Sequence, residues 1–313
     1  MCADSSLTSE RDDVAVGSAR IGEDYTHYVP MHSDYLIHWT GGRDIDNIYD
    51  PVWYKDLAST TDSTVTRLYL DRLKDILRHG LWMMDDNEMI RMDGQSYPRP
   101  SHCRTCFSEL KLSTVRGHAR RYGRLGIGFK RFFLFDRLGC PMTYYHSSRA
   151  NLFTPALWEG HPSSYNEFFA CFLKSMTEVT SDTTMKYSFY DESEWRIIYS
   201  DEIARRLASC GKTNVLNYFV PEGSFSSELR QLVAGLPRQP RAVIPVRDRW
   251  FAMIIYPSLA TKVAAEADEE IRNLINSIKP SDSLLRTYPK RNPAWLEAHN
   301  KPIELDLDAC RNF

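Results

Sequence analysis

The chain has 313 residues, 42% hydrophobic and 26% charged, with a formal net charge of −2 at pH 7. That balance is globular, and its near-neutrality excludes wholesale nucleic-acid binding, which would need a local basic patch. No run nears the roughly 18 apolar residues of a membrane-spanning helix.

The N-terminus, "MCADSSLTSERDD", lacks the basic-then-apolar layout of a signal peptide. The 7 cysteines are odd in number and widely scattered, which fits reduced thiols in a cytoplasm. A soluble cytoplasmic protein without a membrane partner is therefore expected. Residues 1–30 are polar and lack an apolar period, and are read as a flexible N-terminal arm. Residues 31–279 are assigned to a single α+β domain, and 280–313 to an extended C-terminal tail that wraps the domain or reaches a partner.

"YLIHWT" (35–40) reads as a strand closed by Gly41-Gly42. In "STVTRLYLDRLKDILRHG", Val65, Leu68, Tyr69, Leu73, Ile76 and Leu77 recur at helical spacing, and Gly80 stands where a left-handed C′ residue belongs. A loop is expected over 93–102, then the strand "CRTCFSEL" and a helix in "STVRGHARRYG". "LGIGFKRFFLF" and "PMTYYH" read as two strands joined by a turn at Gly139-Cys140-Pro141. "SSYNEFFACFLKSMTEV" has the pattern of an amphipathic helix, with Ser164 and Glu167 in capping-box register.

"KYSFYDESEWRIIYS", "RAVIPV" and "WFAMIIYPS" supply further strands. "ATKVAAEADEEIRNLINSI" reads as one helix with Val263, Ile271, Leu274 and Ile275 on its apolar stripe. Strands and helices do not alternate regularly, so the class is α+β: a mixed, largely antiparallel sheet with packed helices.

Several candidate motifs fail on spacing. "GKT" (211–213) lacks the glycine a phosphate-binding loop requires, since Arg206 stands at that position. The glycines of "GRLGIG" (123–128) suit tight turns better than a dinucleotide fingerprint. His102, Cys103 and Cys106 form half of a zinc pattern with no close-spaced second half, so no metal site is assigned.

Two clusters are chemically suggestive. Arg116, Arg120, Arg121, Arg124, Lys130, Arg131 and Arg137 stand against the single acid Asp136, with His118 among them. They make either a solvated face or a place to hold phosphates, the latter beside the glycine-rich turn. A period of two puts Glu192, Glu194 and Arg196 on one side of a strand, opposite Trp195, Ile197 and Tyr199. A solvated polar face explains those charges; a carboxylate that steadies a developing cation in a cleft explains them too, and the sequence favours the first. His38 shares a strand face with Leu36 and Thr40, as a packing residue or a catalytic one.

Taken in order, "IHWTGG", "LKDILRHGLW", "CFSELKL", "HARRYGRLGIGFKR", "PMTYY", "ESEWRII" and "IIYPSLATKV" resemble the AbiGi-type abortive-infection family of bacterial phage-defence proteins, which are labelled antitoxins. The resemblance implies a bacterial defence role exercised through a protein partner, such as a cognate toxin. More distantly, His-x-Thr on a first strand and Glu on a late one are similar to the ADP-ribosyltransferase layout. That similarity implies an alternative: an enzyme that consumes NAD, with His38, Glu194 and Glu192 as catalytic residues. Thr40, Ser108, Tyr122, Arg121 and Arg124 would then bind the nucleotide cofactor. In such a site the carboxylate stabilises an oxocarbenium-like sugar as nicotinamide leaves. A nucleic-acid-contacting module built on 116–137 is a third and weaker reading.

Overall fold

The computed structural model describes residues 35–41, 63–85, 89–92, 95–98, 102–109, 112, 115–145, 168–179, 186–209, 214–234, 236, 239–247, 250–278 and 301–312. The proposed arm at 1–30, the Ser164/Glu167 capping pair and the "GKT" stretch lie outside them.

Strand β1 (Tyr35–Thr40) precedes helix α1 (Ser63–His79), followed by β2 (Leu81–Met83), β3 (Met89–Met92), β4 (Gln95–Pro98) and β5 (Cys103–Ser108). Helix α2 (Val115–Tyr122) leads into β6 (Leu125–Lys130), the short helix α3 (Phe132–Phe135), β7 (Cys140–Pro141) and β8 (Thr143–Tyr145). Next come β9 (Leu173–Ser175), β10 (Thr177–Val179), β11 (Lys186–Ser188), β12 (Glu194–Tyr199) and α4 (Asp201–Ser209). The described elements close with β13 (Val220–Pro221), α5 (Ser227–Ala234), β14 (Ala242–Ile244), β15 (Phe251–Tyr256), α6 (Leu259–Ala267), α7 (Glu269–Asn276) and β16 (Ile303–Asp306).

A seven-stranded sheet of order β16-β15-β6-β1-β5-β12-β7 organises the molecule. Its pairs are antiparallel except β15 with β16. This is the expected mixed, largely antiparallel α+β architecture. The sheet is covered on both faces, so its central strands carry apolar residues at successive positions rather than alternately.

Helix α1 forms where its apolar spacing predicts. Tyr69, Leu73, Ile76 and Leu77 are buried, but Leu68, one position off the stripe, is exposed. Gly80, at φ +100°, ends the helix by donating its N–H to Ile76 O at 2.8 Å. Against one sheet face α1 packs with Leu36, Phe107, Ile127, Phe129 and Ile254, together with Ile271 and Ile275 of α7. Ile37, Trp39, Met253 and Ile255 point to the other face, where Val115 and Ala119 of α2 cover them. A side chain fully buried in either layer contributes roughly 1.5–3 kcal/mol.

Five expectations are corrected. Gln95–Pro98, expected to be loop, is β4 and pairs with β3. "RFFLF" forms α3 instead of continuing a strand, and β7 and β8 do not close a hairpin on β6: β7 pairs with β12, and β8 with β9. Within 163–179 only 168–170 of the described residues are helical; 173–175 and 177–179 are strands. The single helix over 260–278 is two. Asp268 breaks it and caps α7 by accepting from Ile271 N at 3.1 Å, and Val263 is exposed.

The fifth correction concerns the glycines. Gly123 does terminate α2, at φ +113°. Gly126 and Gly128, however, lie inside β6, where an added Cβ would meet Trp39 Cζ3 at 2.9 Å and Met253 Cβ at 2.7 Å respectively. They are close-approach positions rather than turn positions. At the C-terminal end, β16 joins the sheet as an edge strand in parallel register with β15.

Candidate functional site

The site grows from the pairing of three strands. Ser108, the last residue of β5, is in register with Ile37 of β1 and with Glu194 of β12. Residues opposite one another share a face, so Ile37, Ser108 and Glu194 point to the α2 side. Phe107 and its partner Trp195 point to the α1 side. His38 goes with them: its ring lies 5.8 Å from that of Phe107, and Thr40 shares its face. The structure therefore does not bring His38 together with Glu194. His38 Nδ1 sits 2.9 Å from Cys106 O, and burial pushes its pKa down to about 4, leaving the imidazole neutral at pH 7.

On the α2 side the charges are covered. Glu192, Glu194, Arg196 and Lys174 are only 3%, 5%, 2% and 8% exposed, which overturns the solvated-face reading. The stretch is also not one continuous strand. A 3-10 turn spans Phe189–Glu192, and Ser193 adopts φ +43° before β12 begins. That break swings Glu192 back beside Glu194.

Lys174, carried by β9, donates to Glu192 Oε2 at 2.7 Å and to Glu194 Oε2 at 2.5 Å. Arg196 Nε donates to Glu194 Oε1 at 2.6 Å, and its Nη1 to Cys171 O at 3.1 Å. Tyr144 Oη accepts from Glu194 N at 2.8 Å. Tyr122 Oη donates to Glu192 Oε1. The Tyr122 ring lies 4.6 Å from that of His118, whose Nε2 is 2.8 Å from Ser108 Oγ.

Burial raises the Glu194 carboxyl, but Arg196 and Lys174 outweigh it and hold the group well below the usual carboxylate range. Burial likewise lowers Lys174, and Glu194 with Glu192 more than reverse that, so its pKa is raised. Glu194 and Lys174 therefore stay ionised and paired, which is how buried charge is tolerated. Cys106 keeps its thiol proton: burial, then Glu194, pushes it up to about 12.

Four sequence candidates thus converge on one face: Ser108, Tyr122, Glu192 and Glu194. His38 and Thr40 occupy the other. Arg124, the residue before β6, is buried, and the side chain of Arg121 lies outside the described residues. Among the described residues the basic stretch does not form one patch. Arg137 is 1% exposed, donating to Phe133 O at 2.9 Å, while Arg131 pairs with Glu109 at 2.6 Å. Cys103 and Cys106, three apart on β5, point to opposite faces and cannot chelate one ion together.

The sequence pattern alone marks neither Lys174 nor Tyr144, and marks His118 only as an extra basic residue. The available signal was a lone lysine in the apolar run "ACFLKSM", which is unusual for a strand unless the lysine has partners.

Residues 84–217 match a family described as "Putative abortive phage resistance protein AbiGi, antitoxin". The match spans less than half of the 313 residues, yet includes every member of the network from Ser108 to Arg196. No curated protein and no solved structure matches the chain. Among the described residues, no helix is long and apolar enough to cross a membrane.

Proposed function

We propose that the chain is an antitoxin-like component of an abortive-infection phage-defence system and acts by binding a protein partner. The match of residues 84–217 carries this reading. The geometry supports it: Glu194, the candidate catalytic carboxylate, is bonded by both Lys174 and Arg196. Such a group braces a scaffold more readily than it attacks or stabilises a substrate. The test is co-expression with the gene encoded beside this one. Relief of that gene's growth arrest, with recovery of a stoichiometric complex, is expected. Continued arrest with no complex overturns the reading.

A second reading, cleavage of NAD, draws on the convergence of Ser108, Tyr122, Glu192 and Glu194 on one sheet face. On this reading His118, not His38, is the histidine within reach of that face. Calorimetry with NAD on the wild type and on Glu194→Gln tests it. Binding accompanied by nicotinamide release that the variant lacks supports the enzyme, and absence of binding to both removes it.

A further inference from the structure

We infer that Ser108 and His118 form a nucleophile–base pair able to accept an acyl group from a small uncharged ester. This goes beyond the antitoxin reading and does not rest on it. The first observation is the 2.8 Å separation of Ser108 Oγ and His118 Nε2, within the reach that proton transfer from a nucleophilic hydroxyl requires.

The second is that the base is oriented by further groups. The His118 ring lies 4.6 Å from Tyr122 and 6.2 Å from Trp39. Tyr122 is held in turn by its hydrogen bond to Glu192, and Glu192 by Lys174 at 2.7 Å. Tyr122 and Glu192 are positioning residues that fix the ring on which Ser108 depends.

The third observation concerns approach. Ser108 is 5% exposed, but the chain beside it is strained and open to solvent. Ser193 adopts φ +43°, is exposed, and accepts from Glu109 N at 3.0 Å next to the end of β5. Ser108 is flanked in register by Ile37, which belongs to the apolar cluster with Trp39, Val115 and Ala119, and by Glu194 on the other strand. Apolar neighbours on one side and a carboxylate on the other suit an uncharged acyl group rather than an anionic phosphoryl group.

In the reaction, Ser108 Oγ forms a bond to the ester carbonyl carbon while its proton passes to His118 Nε2. The bond from that carbon to the leaving alkoxide breaks, and the alkoxide takes the proton from His118 and departs as the alcohol. Water then adds to the acyl-serine with His118 as base, releasing the acid and restoring Ser108. The amide that follows the nucleophile, Glu109 N–H, is already given to Ser193 O. The oxyanion therefore lacks that donor and turnover is slow, so covalent capture is the sensitive readout.

The experiment treats the purified full chain with a fluorophosphonate probe and maps the adduct by mass spectrometry. Labelling is expected at Ser108, absent in Ser108→Ala, and slowed about 100-fold or more in His118→Gln. Ser108→Cys guards against misfolding of the alanine variant: its iodoacetamide reactivity should depend on His118 in the same way. No labelling of folded wild type, labelling elsewhere, or a rate indifferent to His118 overturns the inference.

Discussion

Lys174 stands between Glu192 and Glu194, 2.7 Å from one carboxylate and 2.5 Å from the other, with all three side chains buried. Removing the cation leaves two buried carboxylates facing each other, so breaking the bridge costs more than making it contributed. Lys174→Met is expected to lower unfolding stability by about 3–5 kcal/mol in urea titrations. Adding Glu192→Gln to that variant should restore part of the loss. Equal stability of wild type and Lys174→Met would show that the bridge is open in solution.

Acid should destabilise the fold in two windows. His38 titrates near 4 when folded against 6.5 as a free side chain, because burial disfavours its charge. Between those values the unfolded chain binds a proton that the folded chain refuses. Stability therefore falls as pH drops from 6.5 towards 4, by up to about 3 kcal/mol. Glu194 acts lower: its pKa is depressed from 4.5, so its contribution is complete above that value and is lost as pH falls below it. Urea midpoints at pH 7, 5.5 and 4.5 should decline in wild type and flatten over that range in His38→Gln. A wild-type midpoint constant across that range would refute the His38 assignment.

The pattern of success in reading the sequence has a physical cause. Helix α1 was legible because its signals are local: the stripe Tyr69, Leu73, Ile76, Leu77 and the left-handed Gly80. The helical reading holds at 168–170 but fails at Leu173–Ser175, because apolar residues at those spacings suit a helix face or a buried strand equally. Pairing of β9 with β8, nearly thirty residues away, decides between them. Lys174 sits in that run, so the error hid the network too. Period two correctly placed Glu194 and Arg196 on one side of β12. It could not say whether that side was wet, because the cover comes from segments distant in sequence.

Gly128 provides a test of close approach within the sheet. A Cβ there would stand 2.7 Å from Met253 Cβ on the neighbouring strand, in the layer beneath α2. Gly128→Ala is expected to cost about 1–3 kcal/mol through overpacking. Met253→Gly in the same chain, which removes the Cβ that is met, should recover part of that despite losing packing itself. If the two losses simply add, the strain lies in the backbone rather than between these side chains.

A polar clip fastens the edge strand β16 to the body. Glu304 accepts from Tyr256 Oη at 2.6 Å and from Arg272 Nη1 and Nη2 at 2.8 and 3.0 Å. These bonds reach both β15, the strand that β16 pairs with, and α7 behind it. Burial raises the Glu304 carboxyl, but its bonds to Arg272 and Tyr256 prevail and depress it, so it remains a charged acceptor. Charge-assisted bonds of this kind are worth about 1.5–3 kcal/mol each. Glu304→Ala should therefore speed amide exchange over Ile303–Asp306 at least about tenfold. Ile127 and Phe129, in the sheet interior, should keep their protection. Unchanged exchange at Leu305 in the variant would show that the backbone ladder alone holds the strand; exchange accelerated throughout the sheet would make β16 part of the global folding unit.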